Sequence, residues 1–374
     1  MPDLSKFRAA ADDPLRYARE LKKNTGKKIV GYLCSYTPEE IIFAAGASPL
    51  RLFGASGPIT LADAHLQSYC CSLVRGSLDN ALTGRLDFLD GAVFPHTCDS
   101  IQRLSDIWRL NVTNCFHIDA VLPVKLDSES ARLYMARVIS RFRRDLEEKL
   151  GAEITDDRLR ESIALYNEIR RGLKRLYELR SENPSVLSGS DLHAVVKSAM
   201  VMERREFLQA LHELLREIES SEAAAFNCKR GKRLVLTGGI CSQPDIYGII
   251  ENAGAAVVWD DLCTGSRYFE GLTAETGNPE GAIAARYYDR IICPAKHHGT
   301  RERGKRLVET AVEHNADGVI FLLLKFCDPH AFDYPYIKDM LDSAGISSLL
   351  LDIEDQPAGS EGLRTRLETF IEMI

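Results

Sequence analysis

Residues 317–330 read Asp317-Gly-Val-Ile-Phe-Leu-Leu-Leu-Lys-Phe-Cys327-Asp-Pro-His330. Val319 to Leu324 is an unbroken apolar run of strand formers, the composition of a parallel strand buried on both faces. Asp328-Pro329 stops it, so Cys327 stands just past the strand's carboxyl end. Ligands of open α/β sheets gather beyond those ends, which makes Cys327 a candidate for chemistry. A free cysteine serving as a small core hydrophobe is the alternative.

The pattern recurs. Residues 90–99 read Asp90-Gly-Ala-Val-Phe-Pro-His-Thr-Cys98-Asp99. Both stretches open on Asp-Gly, run through an apolar strand containing Phe and end in Cys-Asp. A second pair precedes them. Residues 28–46 run from a strand (Ile29, Val30) through Cys34-Ser35 and a proline to a helix closing at Ala45-Gly46. Residues 233–254 run from a strand (Leu234 to Leu236) through Cys241-Ser242 and a proline to a helix closing at Ala253-Gly254. Two matches in the same order argue for diverged copies. With strands and helices alternating, the expected fold is α/β, with two Rossmann-like parallel-sheet domains related as an internal repeat. The expected domains are 1–127 and 230–374, with a helical segment at 128–229 between or beside them.

Around these anchors, Ser5 to Lys23 reads as one amphipathic helix. Thr37-Pro38-Glu39-Glu40 reads as a helix start, with Thr37 as N-cap and acids in the first turn. Asp63 to Leu82 reads as one or two helices carrying Cys70-Cys71, and Asp99 or Ser100 as the cap of a helix from Ile101. The middle third has long helical periods at Ala131–Leu150, Asp156–Arg180 and Asp191–Glu219, with Thr155 capping the second. Its many Arg and Glu residues are most simply a solvated face. Tyr287 to Cys293 reads as helix then strand.

At 374 residues the chain holds two or three domains, and its 45% hydrophobic and 27% charged content is that of a globular protein. A net charge of −7 speaks against a nucleic-acid partner. No apolar run approaches the roughly 18 residues a membrane helix needs, and the N-terminus has no signal-peptide core. The expected location is the cytoplasm, where thiols stay reduced. Ten cysteines then read as metal ligands plus bystanders.

No cysteine pair has the C-x-x-C spacing of zinc ribbons or ferredoxins. The candidates lie at separate strand ends, as in a cluster held between domains, and soft thiolates favour iron–sulfur ligation. Zinc and a thiol nucleophile are the alternatives. Leu236-Thr-Gly-Gly-Ile-Cys-Ser lacks the lysine of a P-loop and the glycine spacing of a dinucleotide fingerprint. His96, His117, His297 and His298 read as structural or surface residues, and most of Lys296–Arg306 as a solvated helix face. Arg267, beside Cys263, is the better phosphate or cofactor contact. Glu39 and Glu40 are candidate catalytic acids or bases, and helix N-terminal charge compensation accounts for them equally well.

Several stretches together resemble the 2-hydroxyacyl-CoA dehydratase family, which includes the benzoyl-CoA reductase cluster subunits. They are Cys34-Ser-Tyr-Thr-Pro-Glu-Glu-Ile-Ile-Phe-Ala-Ala-Gly; Cys71 with Leu73-Val74-Arg75; Thr97-Cys-Asp-Ser; Lys325-Phe-Cys-Asp-Pro-His with Phe332-Asp-Tyr-Pro; and the ending Arg364-Thr-Arg-Leu-Glu-Thr-Phe. The resemblance spans nearly the whole chain. It implies two Rossmann-like domains holding a 4Fe–4S cluster on cysteines matching Cys71, Cys98 and Cys327, with Cys34 at or beside the fourth iron and Cys70 a bystander. It further implies a related second subunit, in a heterodimer or as a homodimer, an acyl-CoA substrate, and a separate ATP-hydrolysing iron–sulfur activator. That activator supplies one electron, the thioester carbonyl becomes a ketyl radical anion, and the 2-hydroxyl leaves. A branch of the superfamily, regarded as reductases of small molecules, instead binds a double-cubane 8Fe–9S cluster with three thiolates per cubane. Here those six would be Cys34, Cys71, Cys98, Cys241, Cys263 and Cys327, with Cys241 displaced within its loop. The C-terminal motifs resemble the CoA-thioester enzymes more closely, so the single cluster is the expectation.

Overall fold

A computed structural model describes residues 2–55, 57–220, 231–241, 245–290, 293–296, 299–353 and 360–374. Cys228, Ser242, Ile291, Ile292, His297 and His298 lie outside the described residues, and with them the strand expected before Cys293. Eight strands are described: β1 (Ile29–Tyr32), β2 (Ser48–Arg51), β3 (Gly91–Phe94), β4 (Phe116–Asp119), β5 (Lys232–Gly238), β6 (Ala255–Asp261), β7 (Gly318–Leu324) and β8 (Ser347–Ile353). They form two parallel four-stranded sheets, ordered β2-β1-β3-β4 and β6-β5-β7-β8. Position for position, the two orders are the same. Every residue of β7 is buried, as its apolar run requires. Pro49 lies in β2, an edge strand, where its missing N–H costs no central ladder bond.

The internal repeat extends to single hydrogen bonds. The Ile29 N–H donates to Asp90 Oδ2 at 2.8 Å, and the Asp90 N–H returns to the Ile29 carbonyl at 2.9 Å. In the second half the Arg233 N–H donates to Asp317 Oδ2 at 2.7 Å, and the Asp317 N–H returns to the Arg233 carbonyl at 2.7 Å. The Asp of each Asp-Gly start therefore pins its strand to the first strand of the same sheet. This is the physical reason the dipeptide recurs.

Fifteen α-helices accompany the sheets among the described residues. In the first half these are α1 (Ser5–Asp12), α2 (Pro14–Thr25), α3 (Glu39–Ala44), α4 (Ser72–Leu82) and α5 (Asp99–Asn111). The middle third supplies α6 (Glu129–Leu150), α7 (Asp156–Glu182), α8 (Gly189–Ala199) and α9 (Arg204–Ser220). The second half has α10 (Ile246–Asn252), α11 (Ser266–Phe269), α12 (Pro279–Asp289), α13 (Thr300–Glu313), α14 (Asp328–Ser343) and α15 (Ser360–Met373). Helix α7 packs against α3 on one side and α11, α12 and β6 on the other, so it bridges the halves. One core cluster runs through both halves, and a second lies behind the C-terminal sheet around Val235, Val319, Phe321 and Leu341.

Several local expectations change. The N-terminal helix is two helices, because Asp13 accepts the Arg16 N–H and Pro14 starts a new one. Asp191–Glu219 is likewise two, α8 and α9. Thr155 caps α7 as expected. Thr37 does not cap α3: Pro38 holds that position, and Thr37 Oγ1 is buried without a hydrogen-bond partner among the described residues. Asp99 and Ser100 fall inside α5. The middle third is not only a solvated face, since Arg170, Arg180 and Arg204 are buried.

Candidate functional site

Cysteine is not a preferred helix cap, yet Cys71, Cys98 and Cys327 occupy the N-cap positions of α4, α5 and α14. Helix N-termini carry unpaired N–H groups and partial positive charge, which favour anions and thiolates. The Ile101 N–H reaches the Cys98 thiol, and the His330 N–H reaches the Cys327 thiol.

The thiols act on one another. Burial pushes the Cys98 thiol up to about 12, and Cys71, Cys34 and Cys293 add to the rise. Cys327 is raised by burial and then by Cys71, with Cys98 and Cys293 contributing further. Cys293 is pushed up to about 12 by burial, then by Cys263 and Cys34, while the Arg267 guanidinium works against the rise. Two overlapping groups emerge: Cys71, Cys98 and Cys327 in one, Cys34, Cys263 and Cys293 in the other. They draw on both halves of the chain. Among the described residues no three His, Cys, Asp or Glu side chains stand close enough to share a single metal ion.

Other cysteines lie elsewhere. Cys70 Sγ turns to Gln67 Oε1 at 3.9 Å. Cys115 sits beside Trp108 and Asp90. Cys241 is buried next to His193 and Tyr247, its backbone tied to Thr264 Oγ1 at 3.1 and 3.2 Å. Sequence reading singles out Cys241 and misses Cys293. The available signal is modest: Ile291-Ile292-Cys293-Pro294 is an apolar run ending in cysteine and proline, without the Asp-Gly start that marks the others.

Arg267 is buried and already committed. It makes a two-pronged ion pair with Asp261 (2.6 and 2.7 Å), donates to the Gly238 carbonyl (2.7 Å) and reaches Cys263 Sγ (3.8 Å) and His330 Nε2 (3.5 Å). Burial, and after it Arg267, lower the His330 imidazole to about 3, so it stays neutral. Glu39 pairs with Arg204 at 2.7 Å and Glu40 with Arg170. All four are buried. Burial favours the neutral Glu40, but Arg170 and Arg286 outweigh it and hold its carboxyl below the usual range. Both glutamates lie one turn beyond Cys34 and fasten its loop to α7 and α9.

Where β4 meets α5, Asp119 Oδ1 accepts from His96 Nε2 at 2.6 Å and from Ser105 Oγ at 2.5 Å, and Ser105 Oγ lies 2.7 Å from His117 Nε2. His96 holds φ +45° two residues before Cys98, and Phe326 holds φ +65° immediately before Cys327. Left-handed backbone at a non-glycine residue concentrates at functional turns. A cavity of about 650 Å³ lies at the β6 edge, lined by Trp259, Phe269, Leu272 and charged side chains, with no cysteine in its wall. Among the described residues no helix is long and apolar enough to cross a membrane.

The family model for "2-hydroxyglutaryl-CoA dehydratase, D-component" matches residues 34–374. The (R)-phenyllactyl-CoA dehydratase beta subunit of Clostridium sporogenes is 31% identical over 98% of this chain and 97% of its own. A benzoyl-CoA reductase subunit of Thauera aromatica is 30% identical over 96% and 94%. The lactoyl-CoA dehydratase beta subunit of Anaerotignum propionicum is 28% identical over 99% and 98%. The duplicated parallel sheets and matches along nearly the full length make this chain a member of the 2-hydroxyacyl-CoA dehydratase and benzoyl-CoA reductase subunit family, an enzyme chain of lyase type.

Proposed function

We propose that this chain is the iron–sulfur subunit of an (R)-2-hydroxyacyl-CoA dehydratase that acts by one-electron reduction of a CoA thioester. The observation that carries the reading is the convergence of Cys71, Cys98 and Cys327, each at a helix N-terminus. A 4Fe–4S cluster spreads its thiolates over different iron atoms, so its ligands stand farther apart than those of one ion. Soft donors, mutual proximity and three N-terminal dipoles all fit an anionic cluster. When bound, such a cluster supplies a single low-potential electron.

The chain's own groups do the rest. The Ile101 and His330 N–H groups stabilise thiolate at Cys98 and Cys327. Glu39 and Glu40, held by Arg204 and Arg170, fix the Cys34 loop against the middle helices. Arg267, held by Asp261, fixes the Cys263 loop against β5. Cys34 and Cys71 are buried and Cys98, Cys263, Cys293 and Cys327 half-buried, which limits the access of water. The relatives named above are all subunits of enzymes acting on CoA thioesters. That supports a related partner subunit here and an acyl-CoA substrate; an ATP-dependent activator and a cytoplasmic location belong to the proposal.

A second reading rests on one further observation: Cys34, Cys263 and Cys293 form a second group of three. That set suits the double-cubane alternative, with Cys293 in the place expected for Cys241, in a homodimeric reductase. Anaerobic purification with iron and sulfide analysis separates the two, at about four irons per chain against about eight. EPR after one-electron reduction and dependence on acyl-CoA complete the test. A chain carrying neither iron nor sulfide ends both readings.

A further inference from the structure

A buried charge needs a counter-charge. Lys296 is 1% exposed, and among the described residues no carboxylate pairs with it. Its Nζ donates to the Pro123 carbonyl at 3.0 Å and lies 5.3 Å from the centre of the Tyr36 ring. On the same ring, also at 5.3 Å, sits the guanidinium of Arg290, buried and bonded, among the described residues, only to the carbonyls of Ser35 and Arg267. Lys296 stands at the Cys293 turn and over the Cys34 loop: its backbone N–H donates to the Cys293 carbonyl at 2.9 Å, and its ammonium shares the Tyr36 ring with Arg290. Arg267, the other cation of this region, is neutralised by Asp261. Two uncompensated buried cations therefore flank one group of three thiols. The Cys71, Cys98 and Cys327 group is served instead by helix N-termini.

We propose that Lys296 is a positioning residue whose counter-ion is the anionic centre held at Cys34 and Cys293, and that its fixed positive charge draws the added electron to that side. The inference rests on the second iron–sulfur reading above, the one that places a centre at Cys34, Cys263 and Cys293. It requires no movement of Lys296 and no proton transfer by it. Net local charge is one of the levers that set a cluster's reduction potential. With the ammonium in place, the electron is held on the side bounded by the Cys34 loop; without it, the centre is harder to reduce.

The test compares anaerobically purified wild type, Lys296→Met and Lys296→Arg by iron and sulfide content and by EPR-monitored redox titration. Lys296→Met is expected to keep its iron and to shift the reduction equilibrium about tenfold toward the oxidised form, about 59 mV more negative for one electron. Lys296→Arg, which keeps the charge, should stay near wild type. If Lys296→Met loses its iron while Lys296→Arg retains it, the counter-charge role is supported through assembly instead of potential. An unchanged potential in an iron-replete Lys296→Met, or an equal shift or equal iron loss in both variants, overturns the inference. A wild type with about four irons per chain, or with none, removes the underlying reading, an outcome distinct from an iron-replete variant with unaltered potential.

Discussion

The two sheets have the same strand order and the same Asp-Gly anchor, yet they treat their cysteines differently. In the N-terminal half the strands are four residues long, and Cys34, Cys71 and Cys98 all belong to the set of mutually interacting thiols. In the C-terminal half β5, β6 and β7 are seven residues long. There Cys327 keeps the place of Cys98, while Cys241, the repeat partner of Cys34, turns into the core beside His193 and Tyr247. Cys263 and Cys293 join the interacting thiols in its stead. Duplication copied the scaffold, and the site was then built from unequal parts. The pair Cys98 and Cys241 gives the largest contrast. Cys98→Ala should abolish iron binding, while Cys241→Ala should leave iron and sulfide content at the wild-type level. Colorimetric iron and sulfide analysis after anaerobic purification reads both, and iron loss in Cys241→Ala would restore symmetry between the halves.

The same contrast explains what the sequence makes legible. Strand composition and the recurring Asp-Gly and Cys-Asp pairs expose both sheets and two of the N-cap cysteines, Cys98 and Cys327, because each signal lies within about ten residues, the reach of local patterns; Cys71 enters only through the family resemblance. Cys293 carries no repeat signature, and only the folded chain brings it to Cys34. The arginines of α7 and α9 fail for a related reason. Their spacing suits a solvated helix, and the glutamates that bury them lie 130 and 165 residues away. The N-cap placement of the thiols is also beyond local reading, since cysteine has no capping preference to betray it.

Those ion pairs mark a second difference between the halves. Helix α3 begins with Glu39 and Glu40, both in buried pairs, whereas its counterpart α10 is preceded by Asp245, a cap on the Gly248 N–H at 3.0 Å that also accepts from Ser190 Oγ at 2.8 Å. Removing one partner of a buried pair strands the other charge, so Arg170→Met is expected to cost about 3–5 kcal/mol of stability. Asp245→Ala should cost about 0.5–2 kcal/mol, the loss of a cap. Urea unfolding of the two variants measures the gap, and equal losses would mean that the Glu40 pair contributes no more than a surface contact.

The strand anchors differ more finely. Asp90 also accepts from Lys22 Nζ at 2.8 Å and has Lys28 at 3.4 Å, whereas Asp317 has no such lysine pair among the described residues. Burial pushes the Asp90 carboxyl up, but Lys22, the Ile29 N–H and Lys28 together hold it below its ordinary value. A depressed carboxylate stabilises the fold above the unfolded-state value near 3.9, and that contribution is lost as pH falls through the folded-state value. Asp90→Asn should therefore cost about 1.5–3 kcal/mol at pH 7, the range of a charged hydrogen bond. The gap to wild type should close in strong acid. Asp317→Asn, which keeps an acceptor for the Arg233 N–H and strands no lysine, should cost less, about 1 kcal/mol, the difference between a charged and a neutral hydrogen bond. Denaturant midpoints at pH 7 and in strong acid check the sign: a wild-type advantage that widens toward acid would contradict a lowered Asp90.

The smallest effect tests the two strained turns. His96 and Phe326 both hold left-handed backbone just ahead of a site cysteine, but for different returns. The turn at His96 places its Nε2 on Asp119, so a glycine there relieves the backbone and forfeits a hydrogen bond. Phe326 is exposed, and its ring meets the Lys325 ammonium at 5.6 Å, a contact worth little in water. The left-handed conformation costs a non-glycine residue roughly 1–2 kcal/mol, part of which a glycine returns as lost backbone entropy. Phe326→Gly should therefore be neutral to stabilising by up to about 1 kcal/mol, while His96→Gly should be destabilising. If thermal unfolding showed Phe326→Gly to be the more damaging of the two, the aromatic ring at 326 would have to be holding Cys327 in place. The two turns would then be equivalent in what they do as well as in where they sit.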